Sequence, residues 1–231
     1  MNMFSKYAAA ALLTLTGAAI AMPANAVPTL RLTQRANIVT VADNSLNDSS
    51  TLPGVISFSG PVGDFPLTFS TGLTKPTLGT AAHPSIDVLS VQVSSPFSNA
   101  VIEIAFSDTD FTSPGPTITL PSLIGGTTTG SIRYQTFASL SNSLFSTDIL
   151  ISDSGVMGPG AFSFSDYATI AMQGDYSLTT IVTVTHGASS INSSFNATVE
   201  ISEPALISLT TLSGLLFIAG FSAQRRQRRR R

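Results

Sequence analysis

From Tyr176 to His186 the chain alternates Tyr176, Leu178, Val182 and Val184 with Ser177, Thr179, Thr183 and Thr185. A period of two places the apolar set on one face of an extended strand. The same alternation runs from Ala100 to Asp108, with Ile102, Ile104 and Phe106 opposite Val101, Glu103 and Ala105. It recurs from Ser193 to Ile201, with Phe195, Ala197, Val199 and Ile201 opposite Asn196, Thr198 and Glu200. Each reads as a half-buried strand with threonine suited to its wet side. Further strands are predicted over Ile38 to Ala42, Val55 to Ser59, Leu67 to Thr71, Ile86 to Ser94, Thr117 to Leu120, Ser131 to Phe137, Ser146 to Ile151 and Tyr167 to Met172. Between them Pro53-Gly54, Gly60-Pro61, Lys75-Pro76, Pro114-Gly115-Pro116, Gly125-Gly126 and Gly158-Pro159-Gly160 read as turns, because glycine reaches positive φ and proline fixes φ. The phase of Ile86 to Ser94 switches near Val88-Leu89, the mark of a bulge or of a strand buried on both faces. No helical periodicity and no fixed repeat interrupt this pattern. The expected fold is all-β, an antiparallel β-sandwich of jelly-roll or immunoglobulin-like topology, two orders that the pattern does not separate.

The pattern fails at both ends. Residues 1–26 carry one cation, Lys6, an uncharged run from Tyr7 to Met22 and the sequence Ala24-Asn25-Ala26. That order predicts a signal peptide, with Ala24 and Ala26 forming the cleavage site and Ala26 as its last residue. At the other end Ser202-Glu203-Pro204 precedes an uncharged stretch from Ala205 to Ala223, and then Arg225, Arg226, Arg228, Arg229, Arg230 and Arg231. At about 1.5 Å per residue the stretch reaches about 28 Å, close to the roughly 30 Å of a hydrocarbon core, so a transmembrane helix is predicted there. The arginines would hold its end in the cytoplasm and leave the body outside. The expected organisation is therefore a signal helix over 1–26, a β-sandwich over 27–201 and a sorting segment over 202–231.

The C-terminal order of a short Pro-Glu-Pro-like motif, one membrane helix and a terminal arginine cluster resembles the PEP-CTERM sorting signal. Here Ser202 stands in place of the first proline, and Glu203 and Pro204 are retained. The resemblance covers Ser202 to Arg231 and implies an exosortase substrate of Gram-negative, exopolysaccharide-producing bacteria. It implies transient anchoring in the inner membrane, then release to the cell surface or the extracellular matrix. The implied partners are the secretion machinery, signal peptidase, an exosortase-like membrane protease, the membrane itself through the helix, and exopolysaccharide.

Charge supports the partition. Between Val27 and Glu200 four cations, Arg31, Arg35, Lys75 and Arg133, stand against twelve acids, so the body carries −8 while the whole chain carries −2. An acidic body repels polyanions, and nucleic acid is not an expected partner. Serine and threonine supply 52 of its 174 residues, and the absence of cysteine removes disulfides, thiolate metal sites and cysteine nucleophiles. A body of this length buries about 70% of its unfolded surface and needs no staple.

Candidate chemistry in the body is sparse. Asp108-Thr109-Asp110 places two hard oxygen donors at i and i+2, on the same side of a regular strand, and Asp108 and Asp110 are the candidate Ca²⁺ ligands. His83 precedes Pro84 in an expected loop, and His186 ends a strand in the apolar phase; both are read as structural. G-x-S-x-G, H-E-x-x-H and a phosphate-loop glycine pattern are absent. No tryptophan offers a stacking platform. The expectation is a noncatalytic structural or adhesive protein without a required cofactor. The alternatives are a permanently anchored single-span protein and a secreted Ca²⁺-dependent binding module or hydrolase.

Overall fold

The structure, a computed structural model, describes residues 27–95, 100–187 and 191–201. Twelve strands follow one another: β1 Thr29–Gln34, β2 Asn37–Ala42, β3 Val55–Val62, β4 Phe65–Leu73, β5 Ser85–Ser95, β6 Ala100–Thr112, β7 Thr117–Thr128, β8 Ser131–Ser139, β9 Ile149–Met157, β10 Gly160–Ala171, β11 Asp175–His186 and β12 Ile191–Glu200. They form two six-stranded sheets, in the order β2-β1-β6-β11-β8-β9 and the order β10-β7-β12-β5-β4-β3. All their pairings are antiparallel. The all-β antiparallel expectation holds for the described residues.

The alternating side chains explain the two layers. Leu30, Leu32, Ile102, Ile104, Phe106, Val182 and Val184 from the first sheet share one buried cluster with Ile86, Val88, Val91, Val93, Leu120, Phe195 and Val199 from the second. At about 1.5–3 kcal/mol per fully buried aliphatic or aromatic side chain, this shared face holds the sheets together. From β5 onward the pairing nests: β5 lies beside β12, β6 beside β11, β7 beside β10 and β8 beside β9. Two-residue hairpins join β1 to β2 at Arg35 (φ 55°) and β3 to β4 at Gly63 (φ 56°).

Several strand limits differ from the sequence expectation. β1 lies outside the strands predicted above, and β7 continues to Thr128 straight through Gly125-Gly126. Gly126 belongs inside the sheet because a Cβ there would run into the backbone of β12 at Ser194 and Phe195. Gly60-Pro61 also lies within a strand, beside an irregularity between Phe58 and Gly60 on the edge strand β3. An edge tolerates proline, which has no N–H for a ladder. Ser146 to Asp148 precede β9 instead of opening it. The phase switch in β5 is a bulge: the register shifts between Phe195 and Ala197 of β12, and Ser90 takes φ 53°.

Candidate functional site

Among the described residues polar groups gather around several open spaces, two of them large enough for a small ligand. The first is a cleft at the end where β2 and β4 stop and β1 and β5 start. The loop after β4 brings Thr74 and Lys75 against β6, where Lys75 Nζ lies 2.7 Å from Asp108 Oδ2 and Thr74 Oγ1 donates to the same oxygen at 2.9 Å. The Thr109 N–H donates to Asp108 Oδ1 at 2.8 Å. Lys75 also donates to the Thr109 carbonyl and sits 3.9 Å from the centre of the Phe111 ring. Asp108 is fully buried, and burial lifts its carboxyl above the usual range although Lys75, Thr74 and Thr109 all pull it down.

Regular alternation ends one residue later. The pairing of β6 with β11 shifts between Tyr176 and Leu178, and Asp110 has φ 59°. Asp110 therefore turns to Asn142: its N–H donates to Asn142 Oδ1 at 2.8 Å, and Asn142 Nδ2 donates to Asp110 Oδ1 at 2.6 Å. The two carboxylates proposed from sequence as a calcium pair thus have separate partners, and the structure does not bring them together. No group of three or more histidine, aspartate or glutamate side chains gathers among the described residues.

In front of Lys75 the cleft encloses about 670 Å³ and is lined by Val27, Asp43, Asn44, Pro53 and Thr80 among others. Asp43 Oδ2 accepts from the Gly54 N–H at 3.0 Å. Its Oδ1 is buried and has no hydrogen-bond partner. Gly54 is required there, since it has φ 78° and a Cβ would lie 2.5 Å from the Lys75 carbonyl oxygen.

The second place is a groove of about 320 Å³ on the outer face of the second sheet, lined by Asp87 and Leu89 of β5, Leu123 and Gly125 of β7, and Asn196, Thr198 and Glu200 of β12. Register builds it. Thr198 stands between Asp87 and Leu123, and Asn196 stands beside Gly125. Gly125 leaves the floor open, with no atom nearer than 3.8 Å to the position a Cβ would take. Asn196 Oδ1 accepts the Ser90 N–H at 2.7 Å and so pins the β5 bulge. Thr198 Oγ1 donates to Asp87 Oδ1. Burial lifts the Asp87 carboxyl above its usual range; the Thr198 hydrogen bond opposes this and the Glu200 charge adds to it. Carboxylate acceptors, an amide, a hydroxyl and two leucine walls suit a neutral or cationic polar ligand and disfavour an anion. None of these residues was singled out as a site from sequence. The two traces they left there were the phase switch at Val88-Leu89 and the glycine pair, which was read as a turn.

Of the histidines, His83 lies in an exposed loop with its N–H bonded to Thr80 Oγ1 at 3.1 Å. His186 is fully buried, tilted against Phe65 at 5.5 Å, with Nε2 3.1 Å from Ser193 Oγ and no partner on Nδ1. Burial lowers its pKa and favours the neutral ring. Among the described residues no acid backs the ring, and both His186 and Ser193 are closed off from solvent. Ala24, Ala26, Ser202, Glu203, Pro204, the stretch from Ala205 to Ala223 and the arginines from Arg225 to Arg231 lie outside the described residues. Among the described residues no helix is long and apolar enough to cross a membrane.

No family model matches this chain, and no curated protein matches it. Solved structures show similarity at low identity, two of them as follows. One is the enzymatically active domain of bacteriophage CBA120 tailspike protein 4, at 12% identity and a TM-score of 0.32, covering 69% of this chain and 21% of that one. The other is TmCBM27, a carbohydrate-binding module described for specific mannan recognition, at 12% identity and a TM-score of 0.29, covering 64% of this chain and 96% of that one. The chain thus spans about a fifth of the tailspike domain's length.

Proposed function

We propose that this chain is an exported, C-terminally sorted, noncatalytic β-sandwich of the cell surface or exopolysaccharide matrix, and that its eight nested strands β5 to β12 form a jelly roll. The sorting reading rests on the sequence of the two ends: the signal peptide closing at Ala26, and Ser202-Glu203-Pro204 followed by an apolar stretch and arginines. One structural observation carries it further. Val27 lines the cleft formed by the loop at Lys75 to Ala81, and the Ile201 N–H donates to the carbonyl of Pro84 at the end of that loop at 3.0 Å. Both ends of the body therefore leave beside one loop. A tether attached there leaves the opposite end of the body clear of it, which suits an adhesive or structural module displayed from a membrane; the groove begins at Glu200, next to this exit, and runs away from it toward Asn196.

Mass spectrometry of the protein recovered from surface or matrix material tests this. The expected mature form starts at Val27 and lacks the terminal arginines. Surface material retaining Arg231 would overturn the processing step, and the same intact form held in the membrane fraction would identify a permanently anchored protein.

A further inference from the structure

The unpartnered Asp43 Oδ1 is the strongest unexplained feature of the body. Buried polar atoms are almost always hydrogen-bonded, and an unmade bond to a carboxylate is costly. Its neighbours are already committed. Gly54 N–H serves the other oxygen of the same carboxylate, the Asn44 N–H goes to Asp48 Oδ2 at 3.0 Å, and Lys75 is held by Asp108 and Thr109. Pro28 has no N–H to give.

The next nitrogen along the chain is that of Val27. The β1–β2 ladder continues outward from Thr29 opposite Ala42 to a bond from the Asp43 N–H to the Pro28 carbonyl at 3.0 Å. This sets Val27 beside the Asp43 region, and both residues line the 670 Å³ cleft. The Val27 carbonyl is fixed by Thr29 Oγ1 at 3.1 Å, so the residue enters the cleft from a held position. As an internal residue Val27 offers one neutral N–H. Hydrolysis of the Ala26–Val27 bond adds water across it, leaving a carboxylate on Ala26 and an ammonium with three donors on Val27.

We propose that signal-peptide cleavage completes this cleft: the new α-ammonium of Val27 docks on Oδ1 of Asp43 and ties the mature N-terminus to the start of β3. The inference rests on the reading of Ala26 as the last residue removed. Among the described residues the other charged or titratable groups of this end are Lys75, bound to Asp108; Asp48, which accepts the backbone N–H groups of Asn44, Ser50 and Ser57; His83, exposed in its loop; and the acids Asp110, Asp175 and Glu200, which have no donor to give. None of them supplies the missing donor. A terminal ammonium titrates at about 7.7–8.0 in the absence of a partner. Pairing raises that value, so the contact stabilises the body below the unpaired value and its contribution is lost as pH rises through the raised one.

The test uses the exported protein from a Gram-negative host, together with full-length 27–231 chains released from a fusion so that they begin at Val27 or at one added glycine before it. N-terminal mass identifies the natural start. Acylation of the α-amine as a function of pH, read by peptide mass spectrometry, gives its pKa. The expected value lies about one unit above 7.7–8.0 in the wild-type chain and returns to that range in Asp43→Asn. The added glycine is expected to lower Tm by about 2–4 °C at pH 6 in the wild-type chain and by nothing in Asp43→Asn. Equal amine pKa values in the two chains, or a glycine effect that persists in Asp43→Asn, would overturn the latch. A natural start other than Val27 would overturn the export reading alone, because the fusion-released chain still measures the contact.

Discussion

Tyr134 on β8 reaches through the core, and its hydroxyl donates to the carbonyl oxygen of Thr198 on β12 at 3.0 Å. The first sheet thereby pins from inside the strand whose other side bears the groove residues Asn196, Thr198 and Glu200. Tyr134→Phe is expected to cost about 0.5–1.5 kcal/mol, the net value of one hydrogen bond. Tyr134→Ala is expected to cost about 3–5 kcal/mol through the cavity it leaves. Urea unfolding of the two variants checks the order, and an unchanged stability in Tyr134→Phe would show that the phenol oxygen contributes nothing.

The buried ion pair makes an asymmetric prediction. Lys75→Met leaves the carboxylate of Asp108 buried without a counter-charge and is expected to cost about 3 kcal/mol, toward the low side of the range for such losses because Lys75 retains 15% exposure. Asp108 has a folded pKa above its unfolded one, so its contribution favours the folded state below the ordinary carboxylate pKa and is lost as pH rises through the raised value. Removing Lys75 raises that value further. The Tm deficit of Lys75→Met should accordingly shrink on acidification from pH 7 to pH 4, and a deficit independent of pH would contradict the assignment.

Arg133 and Asp153 act in the opposite sense. The Arg133 hydrogen bond is the main cause that holds the Asp153 carboxyl down at about 2, with the Gly155 N–H and Gln135 helping. The stability this pair supplies is present above the unfolded carboxylate pKa of about 3.9 and disappears as pH falls through about 2. Titration of the Asp153 side chain by NMR should find the low value in the wild type and a value near 3.9 in Arg133→Gln.

The groove is tested by filling it. Gly125→Leu places a side chain in open space on an extended strand, so Tm is expected to stay within about 2 °C of wild type, as for an ordinary surface change. Retention of the purified protein on matrix polysaccharide is expected to fall at least tenfold. Unchanged retention would move the adhesive surface away from β5, β7 and β12. Asn196→Ala removes the acceptor from Ser90 N–H and is expected to cost about 1 kcal/mol by releasing the bulge.

Local alternation made much of the strand content legible. Ile102, Ile104 and Phe106 are buried while Val101 is exposed, and Phe195, Ala197 and Val199 are buried while Asn196 and Glu200 are exposed, as period two demands; Ala105, Ser177 and Thr179, expected on the wet side, are buried as well, so β6 and β11 are covered on both faces there. Strand order was not legible, because Thr198 finds Asp87 and Leu123 at separations no local pattern encodes. The glycines misled for a physical reason. A residue without a side chain signals either a turn or a close approach of two backbones, and Gly126 is the second case. Asp108 and Asp110 meet different partners because one positive-φ residue and a register shift interrupt the alternation between them, which no local pattern signals. Asp43 gave no local signal, since an unsatisfied oxygen exists only once the chain has folded around it.

The place of β12 between β7 and β5 governs the order of assembly. A chain that emerges N-terminus first has a vacant slot in the middle of its second sheet until Glu200, the final strand residue, is available. Neither β5 nor β7 can close its ladder before then, and the nested pairs β5–β12, β6–β11 and β7–β10 all wait for late sequence. Completion of the sheet is therefore timed by the arrival of the segment that directly precedes Ser202.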